Sequence, residues 1–318
     1  MRAGILAAGL LLLGLGGCAS QEAREDVPAL SPEAAAGPAA NDKLDAVAWT
    51  QAAAEFRAAS LGAFAGAWRA VDTGIDDPAW DALPPTERDA IGNRAEIASM
   101  PIAVIADIDE TLLDNTPFNA RMIVDPIPGD LVVEDSRAAF SRRWRDWVDD
   151  ERARALPGAA AFAKRLGEGG VAFYYITNRE DDEREATCRN LVAVGFPVPD
   201  CETFVLTRNE KQGRPSAKLS RRAQIGRGHR VLAMLGDNLG DFVDGVDATR
   251  AVREGLVDAQ ALWWGERWFM LPNPMYGSWE GAASPLPADS KPATMLERER
   301  QIRAAKIAQL DLKQDAQP

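Results

Sequence analysis

Two aspartates one residue apart, Asp107 and Asp109, follow directly on the apolar run Ile102 to Ala106 in the string P-I-A-V-I-A-D-I-D-E-T-L-L-D-N. A short unbroken run of small and β-branched residues suits a strand buried on both faces. The carboxyl edge of such a strand is where open α/β sheets place their ligands. Two carboxylates converging there can divide a displacement between them, one attacking and the other moving protons. Both are anionic, so they would repel a dianionic phosphate unless a cation and a basic residue stood nearby. Acidic pairs also serve merely to end strands or cap helices, so the rest of the chain has to supply the missing parts.

It supplies them in order. V-A-F-Y-Y-I-T-N-R is a second apolar strand that ends at Thr177, Asn178 and Arg179, and a hydroxyl with its neighbouring backbone N–H groups can hold phosphoryl oxygens. S-A-K-L-S-R-R-A-Q-I brings Lys218 near the start of a helix. V-L-A-M-L-G-D-N-L-G-D is a further strand, ending in Asp237 with Asp241 four residues on. Each group but the lysine stands directly at a strand end; nucleophile, hydroxyl, cation and metal ligand are all present, and the ordered set is far more specific than any member.

The elements that must hold these groups follow from pattern. From about Lys43 to Val71, the residues Leu44, Val47, Phe56, Leu61, Phe64 and Trp68 fall at helical spacing. Asp72 to Pro85 breaks that pattern with Gly and Pro, and a second helix is predicted from about Thr86 to Ala98. Both precede the sheet and pack on it most simply. Thr116-Pro117 then opens a long excursion to about Asp150 that carries Phe140, Trp144 and Trp147, and a loop inserted after the central strand overhangs the site. Leu156-Pro157-Gly158 opens a helix to about Leu166; another runs from about Asp182 to Ala193, and a strand spans Thr203 to Thr207.

With 318 residues and 46% hydrophobic content, the chain is long enough for a sizeable core. Acidic residues outnumber basic ones 48 to 36, a net charge of -12, which repels a nucleic-acid polymer while leaving a mononucleotide free to enter a locally basic pocket. Arg2 and the apolar run Ile5 to Leu15 read as a signal peptide over residues 1–17, since the run is too short for a comfortable membrane span. The ending L-G-G-C resembles a bacterial lipobox and implies acylation of Cys18. Residues 18–42, rich in Ala, Pro, Glu and Ser, read as a flexible tether. An exported compartment permits Cys188 and Cys201 to pair, which spacing alone leaves open. There is no C-x-x-C or Cys/His cluster to support zinc.

The motif order resembles the haloacid dehalogenase (HAD) superfamily of phosphatases. Within it, the strings A-V-A-W near Trp49, D-I-D-E-T-L-L-D-N, W-R-D-W-V, I-T-N-R, S-A-K-x-x-R, G-D-N-L-G-D-F and M-L-P-N-P-M-Y-G-S-W-E-G resemble the class C (HAD subfamily IIIB) acid phosphatases. These are bacterial surface lipoproteins that include 5'-nucleotidases. The resemblance runs from about Lys43 to Gly281 and implies an α/β fold, a Rossmannoid three-layer α/β/α sandwich with a parallel central sheet and a small helical accessory region. The phosphatase domain would span 43–281, with helices over 43–98 and a substrate-side insert over 116–150. Residues 282–318 would form a C-terminal extension whose Met295 to Leu312 portion reads as an amphipathic helix.

Carried over, the resemblance makes Asp107 the nucleophile that forms an aspartyl-phosphate and Asp109 the group that protonates the leaving oxygen. Mg²⁺ would be held by Asp107, the backbone carbonyl of Asp109 and Asp237. Thr177 and Lys218 would hold the phosphoryl group, Asp241 would orient Lys218 or a metal-bound water, and Asn178 lies just behind them. Lys211 competes for the cationic role but lacks the S-A-K-x-x-R context. Trp144 and Tyr276 match positions whose rings stack on a nucleobase, with Phe118 as a further wall, whereas Trp147 and Trp279 suit core packing better. The stretch D-P-I-P-G-D-L-V-V-E-D between Arg121 and Phe140 departs from the family pattern.

The expected protein is therefore an exported phosphomonoesterase, lipid-anchored in the bacterial envelope at the outer membrane. Its substrates would be small phosphomonoesters, probing would find no nucleic-acid polymer as partner, and a homo-oligomer stays open. Two rivals share the motifs: a phosphatase of this fold tuned to non-nucleotide esters, and a non-catalytic binding lipoprotein, against which both intact aspartates speak. Histidine-based acid phosphatases need R-H-G, and the single histidine, His229, stands in G-H-R.

Overall fold

A computed structural model describes residues 43–287 and 289–310. The signal peptide, the tether, the Cys18 acylation site and residues 311–318 lie outside the described residues.

The chain opens with α1 (Leu44–Ala52) and α2 (Ala54–Asp76), so the single helix read from pattern is divided at Ala53, whose ψ of 127° is extended. The corner brings Trp49 edge-on to Phe56, with ring centroids 5.7 Å apart. Helix α2 continues past Val71 through Gly74, where an added Cβ would meet the Trp80 ring at 2.7 Å, so glycine there admits the indole. Next comes α3 (Pro85–Ile91), with Pro at its first turn and Gly92 at φ 78° ending it. The expected continuation to Ala98 is a separate 3₁₀ turn over Arg94–Ser99.

The central strand β1 (Ile102–Ala106) leads to a two-residue ribbon of β2 (Leu113–Asp114) and β3 (Arg154–Ala155). This ribbon closes the base of an excursion holding α4 (Thr116–Val124) and α5 (Val133–Asp149). The chain goes on through α6 (Ala159–Glu168), β4 (Ala172–Glu180), α7 (Arg184–Ala193), α8 (Cys201–Phe204) and β5 (Val205–Arg208). It ends with α9 (Leu219–Gly226), β6 (Arg230–Gly236), α10 (Arg250–Asp258), β7 (Trp268–Met270), α11 (Trp279–Ala283) and α12 (Met295–Ala308).

The main sheet has the order β5-β4-β1-β6-β7, and every neighbouring pair is parallel. Successive side chains of a strand point to opposite faces, and the two cores divide accordingly. Val104 and Ala106 of β1 and Phe173 and Tyr175 of β4 pack with Phe64 of α2, Phe162 of α6 and Leu191 of α7. Ala103, Ile105, Tyr174 and Ile176 pack on the other face with Leu83, Ile225 of α9 and Trp268. Each fully buried large apolar side chain stabilises the fold by about 1.5–3 kcal/mol. The result is a three-layer α/β/α sandwich with helices on both faces.

Cys188 on α7 and Cys201 on α8 are joined in a disulfide. Helix α12 forms over most of its expected span, but none of its residues is fully buried. It is tied to the excursion through its first turn, where the Met295 and Leu296 amides donate to the carbonyls of Leu131 and Gly129 at 3.0 and 2.8 Å.

Candidate active site

Strands β1 and β6 end side by side, because the Asp107 amide donates to the Leu235 carbonyl at 3.0 Å. Asp107 and Asp237 therefore leave the sheet together. The Thr111 hydroxyl lies between them, 3.4 Å from Asp107 Oδ2 and 3.3 Å from Asp237 Oδ1. Lys218, at the N-cap of α9, donates to Asp107 Oδ1 and sits 2.6 Å from Asp241 Oδ1. Asp241 reaches over Gly236, where an added Cβ would meet Asp241 Oδ2 at 2.2 Å. The Asn238 amide holds that same Oδ2 at 2.9 Å.

One carboxylate oxygen each from Asp107, Asp237 and Asp241 lie within 4.8 Å of one another. Burial pushes the Asp107 carboxyl up to about 7, Lys218 opposing and Asp241 and Asp109 reinforcing the shift. Desolvation, then Asp107 and Asp241, raise Asp237 well above the usual carboxylate range. Burial alone would lower the Lys218 ammonium, but the two carboxylates beside it leave it above its ordinary value. Lys218 brings one positive charge to three carboxylates in a desolvated site. That oxygen-rich, negatively charged donor set fits a hard divalent cation of the Mg²⁺ class. The Asn273 amide occupies Asp237 Oδ2 at 2.7 Å, leaving Oδ1 toward the cluster.

Asp109 faces away from that cluster. Its carboxylate accepts from Arg179 Nη2 at 2.7 Å and Nε at 3.1 Å, and from Asn115 Nδ2 at 2.8 Å. Asn115 is itself fixed, its Oδ1 accepting from the buried Trp147 indole at 2.8 Å and its backbone amide donating to Glu110 Oε1 at 3.0 Å. Glu110 takes a positive φ of 58° to turn the chain back under the site. Burial, then Asp109 and Asp237, hold its carboxyl well above the usual range, so it acts as a buried brace.

Lys218 is buried against Asp107, whereas Lys211 is exposed on a 3₁₀ turn outside the cleft. Thr177 is fully buried, and its hydroxyl donates to Asp109 Oδ2 at 3.4 Å and accepts from the Arg179 amide at 3.1 Å. Thr177 is not among the residues that line the cleft, and its hydroxyl links it to Asp109. Asn178 is exposed on the cleft wall and its Oδ1 accepts from Arg221 at 2.8 Å. The cleft has a volume of about 830 Å³ and is walled by Phe118, Trp144 and Tyr276. Phe118 is buried behind Trp144, edge-on with centroids 5.1 Å apart.

Trp147 is core, as its type suggested, but Trp279 is only half-buried, with Lys306 over its ring at 5.5 Å. His229 lies in the turn before β6, edge-on to Tyr174 and far from the cleft lining. Four contributors escaped pattern reading. Thr111 and Arg179 stand inside strings that carry the pattern, so their positions were in view without a role. Asn115 and Asn273 stand inside such strings too, D-I-D-E-T-L-L-D-N and M-L-P-N-P-M-Y-G-S-W-E-G, but each meets its carboxylate only through the fold.

Residues 86–279 match the family described as HAD superfamily, subfamily IIIB (Acid phosphatase). The chain is similar to the class C acid phosphatase of Bacillus anthracis with tungstate bound, at 26% identity and a TM-score of 0.68 over 87% of this chain and 99% of that one. A second structure of the Bacillus anthracis class C acid phosphatase gives a TM-score of 0.64 at 26% identity, covering 86% of this chain and 99% of the other. Acid phosphatase 1 of Solanum lycopersicum is 26% identical over 175 residues, 54% of this chain and 57% of that protein, so this likeness spans little more than half of either. The sheet order, the edge cluster and the matched segment agree, and the chain belongs to the HAD superfamily, subfamily IIIB, the acid phosphatases.

Proposed function

We propose that the protein is a Mg²⁺-dependent acid phosphatase that hydrolyses phosphomonoesters through an aspartyl-phosphate on Asp107. The observation that carries this reading is the contact of a buried carboxylate, Asp107, with the Lys218 ammonium at the carboxyl edge of β1. Asp107 and Asp237, with the backbone carbonyl of Asp109, would hold the metal. Bound there, the ion offsets the charge on the carboxylates and on the phosphoryl oxygens as the transition state forms.

In the first half-reaction an Asp107 carboxylate oxygen attacks phosphorus, the ester P–O bond breaks, and the leaving oxygen takes a proton from Asp109. In the second, water attacks the phosphorus of the aspartyl-phosphate and gives a proton to Asp109, which releases inorganic phosphate and restores Asp107. Lys218 holds the phosphoryl group and Asp241 orients Lys218, in line with their 2.6 Å contact. Arg179 and Thr177 orient Asp109. Trp144 and Tyr276 wall a cleft of the size that takes small ligands, and nucleoside monophosphates would stack there. The Cys188–Cys201 disulfide suits an exported protein, lipid-anchored through Cys18 in the bacterial envelope.

The test is phosphate release from a panel of monoesters by the soluble form lacking residues 1–18, with Mg²⁺ or EDTA. Metal-dependent release, faster from AMP than from glycerol phosphate, is expected. Release from glycerol phosphate alone would move the substrate to non-nucleotide esters. No release from any ester by the folded protein would leave a binding protein on a phosphatase fold.

A further inference from the structure

Arg221 is fully buried, yet among the described residues no carboxylate accepts a hydrogen bond from its guanidinium. A buried charge is costly unless it is compensated and its donors are satisfied. Here Nη1 and Nη2 are satisfied almost entirely by backbone, and Nε has no partner among the described residues. Asp107 and Asp241 supply opposite charge without accepting a bond from the group. Nη1 donates to the Thr177 carbonyl at 2.5 Å and the Leu206 carbonyl at 3.4 Å. Nη2 donates to Asn178 Oδ1 at 2.8 Å, the Pro215 carbonyl at 2.9 Å and the Ser216 carbonyl at 3.1 Å. One side chain therefore joins three segments: the end of β4, the middle of β5, and the loop that delivers Lys218.

That loop, residues 209–217, has little else to fix it. Its own backbone bonds are local, a bridge between Asn209 and Arg214 and a turn through Gly213 at φ 72°. Its far end is held on Asp181 by two side chains, Asn209 Nδ2 at 2.5 Å and Arg214 at 2.6 Å. The end next to Lys218 is held by Arg221 from within the first turn of α9. Lys218 and Arg221 are three residues apart and so share a helix face. Burial pulls the guanidinium down to about 10, which leaves it charged at neutral pH.

We infer that Arg221 is a positioning residue: its planar five-bond fork locks the Lys218 loop to the ends of β4 and β5 and so sets where the Lys218 ammonium meets Asp107 and an incoming phosphoryl group. Lysine cannot replace it, because a compact ammonium has three donors and no fork. The inference rests on the phosphatase reading for its effect on rate, but not for its effect on the position of Lys218.

The test uses the full chain with Mg²⁺, comparing Arg221→Lys, Lys218→Met and the double variant. Arg221→Lys should lower kcat/KM by about 30-fold or more, as displacements near 1 Å do. In the Lys218→Met background the same change should cost less than about threefold, because residues acting through one another are non-additive. Asn178→Ala, which removes one acceptor and leaves the guanidinium in place, should give a smaller loss with the same non-additivity, and it serves if Arg221→Lys fails to fold. Full multiplication of the single losses, or near-parent activity of Arg221→Lys, would overturn the inference while leaving the phosphatase reading intact.

If the parent hydrolyses nothing, acetylation of Lys218 with acetic anhydride, followed by mass spectrometry, reads the position directly. Lys218 should be protected in the parent and labelled faster in Arg221→Lys and Asn178→Ala. A core truncation, Leu166→Ala, compared at a matched distance below its melting temperature, should leave it protected. Equal labelling of Lys218 in the parent and the two loop variants would overturn the inference on its own.

Discussion

Gly236 closes β6 immediately before Asp237, and the Asp241 side chain passes directly over its α-carbon. An added methyl would meet Asp241 Oδ2 at 2.2 Å and Asp241 Cβ at 2.4 Å, where ordinary contact begins at 3.4 Å. In Gly236→Ala the carboxylate must therefore retreat by about 1 Å, and because Cβ is also in the way a rotamer change cannot supply the space. The retreat breaks the 2.6 Å contact with Lys218 and the Asn238 bond to Oδ2. Overpacking of this kind costs about 1–3 kcal/mol, and a catalytic cation displaced by about 1 Å costs around 10²-fold in rate. Phosphate release from an aryl phosphate should fall by that factor, and the melting temperature by roughly 2–10 °C. Gly255→Ala, on a helix with nothing within 4 Å of the new methyl, should leave both unchanged or stabilise slightly. A folded Gly236→Ala enzyme within about threefold of the parent would refute the claim that Asp241 sets Lys218.

Metal removal should couple to pH. The folded Asp107 carboxyl titrates at about 7 against an ordinary 3.8, so between those values the metal-free folded state binds more protons than the unfolded one. Its stability should thus fall as pH rises from about 4 to 7, and saturating Mg²⁺ should abolish the fall. Identical melting curves against pH with EDTA and with Mg²⁺ would contradict this. Trp144→Ala should raise KM for AMP by about tenfold, the loss of one stacked ring, while leaving KM for glycerol phosphate within about twofold; steady-state kinetics on the two esters checks it. Replacing Cys188 and Cys201 together by Ser opens a closure of sequence separation 13. It should cost about 3 kcal/mol of stability in a denaturant titration, with activity at 25 °C retained.

The groups that carry chemistry were legible because they stand at strand ends. Strand β1 spans the residues its composition marks, Ile102 to Ala106; Asp107 and Asp237 meet because parallel strands end at one edge, where the 3₁₀ turn after β6 adds Asp241 and the N-cap of α9 adds Lys218. Local bonding overrode pattern elsewhere. Thr203 and Phe204 favour strand by type, but the Asp200 carboxylate caps the Thr203 amide at 2.8 Å and turns Cys201–Phe204 into a helical turn. Strand β7 is three residues long, too short for alternation to declare itself. Arg221 was visible at a fixed spacing from Lys218 as the last residue of the S-A-K-x-x-R string, but its bonds to carbonyls of three segments form only in the fold. The same holds for Thr177, whose hydroxyl bonds Asp109 because Arg179 and Asn115 draw that carboxylate toward β4.

The most direct test of the nucleophile assignment is phosphate release by Asp107→Asn with saturating Mg²⁺, beside a thermal melt of the same sample. A folded variant whose rate falls by at least about 10³-fold is predicted, since removal of a nucleophile costs that much or more. A folded variant that retains release within about tenfold of the parent would mean that Asp107 does not attack phosphorus.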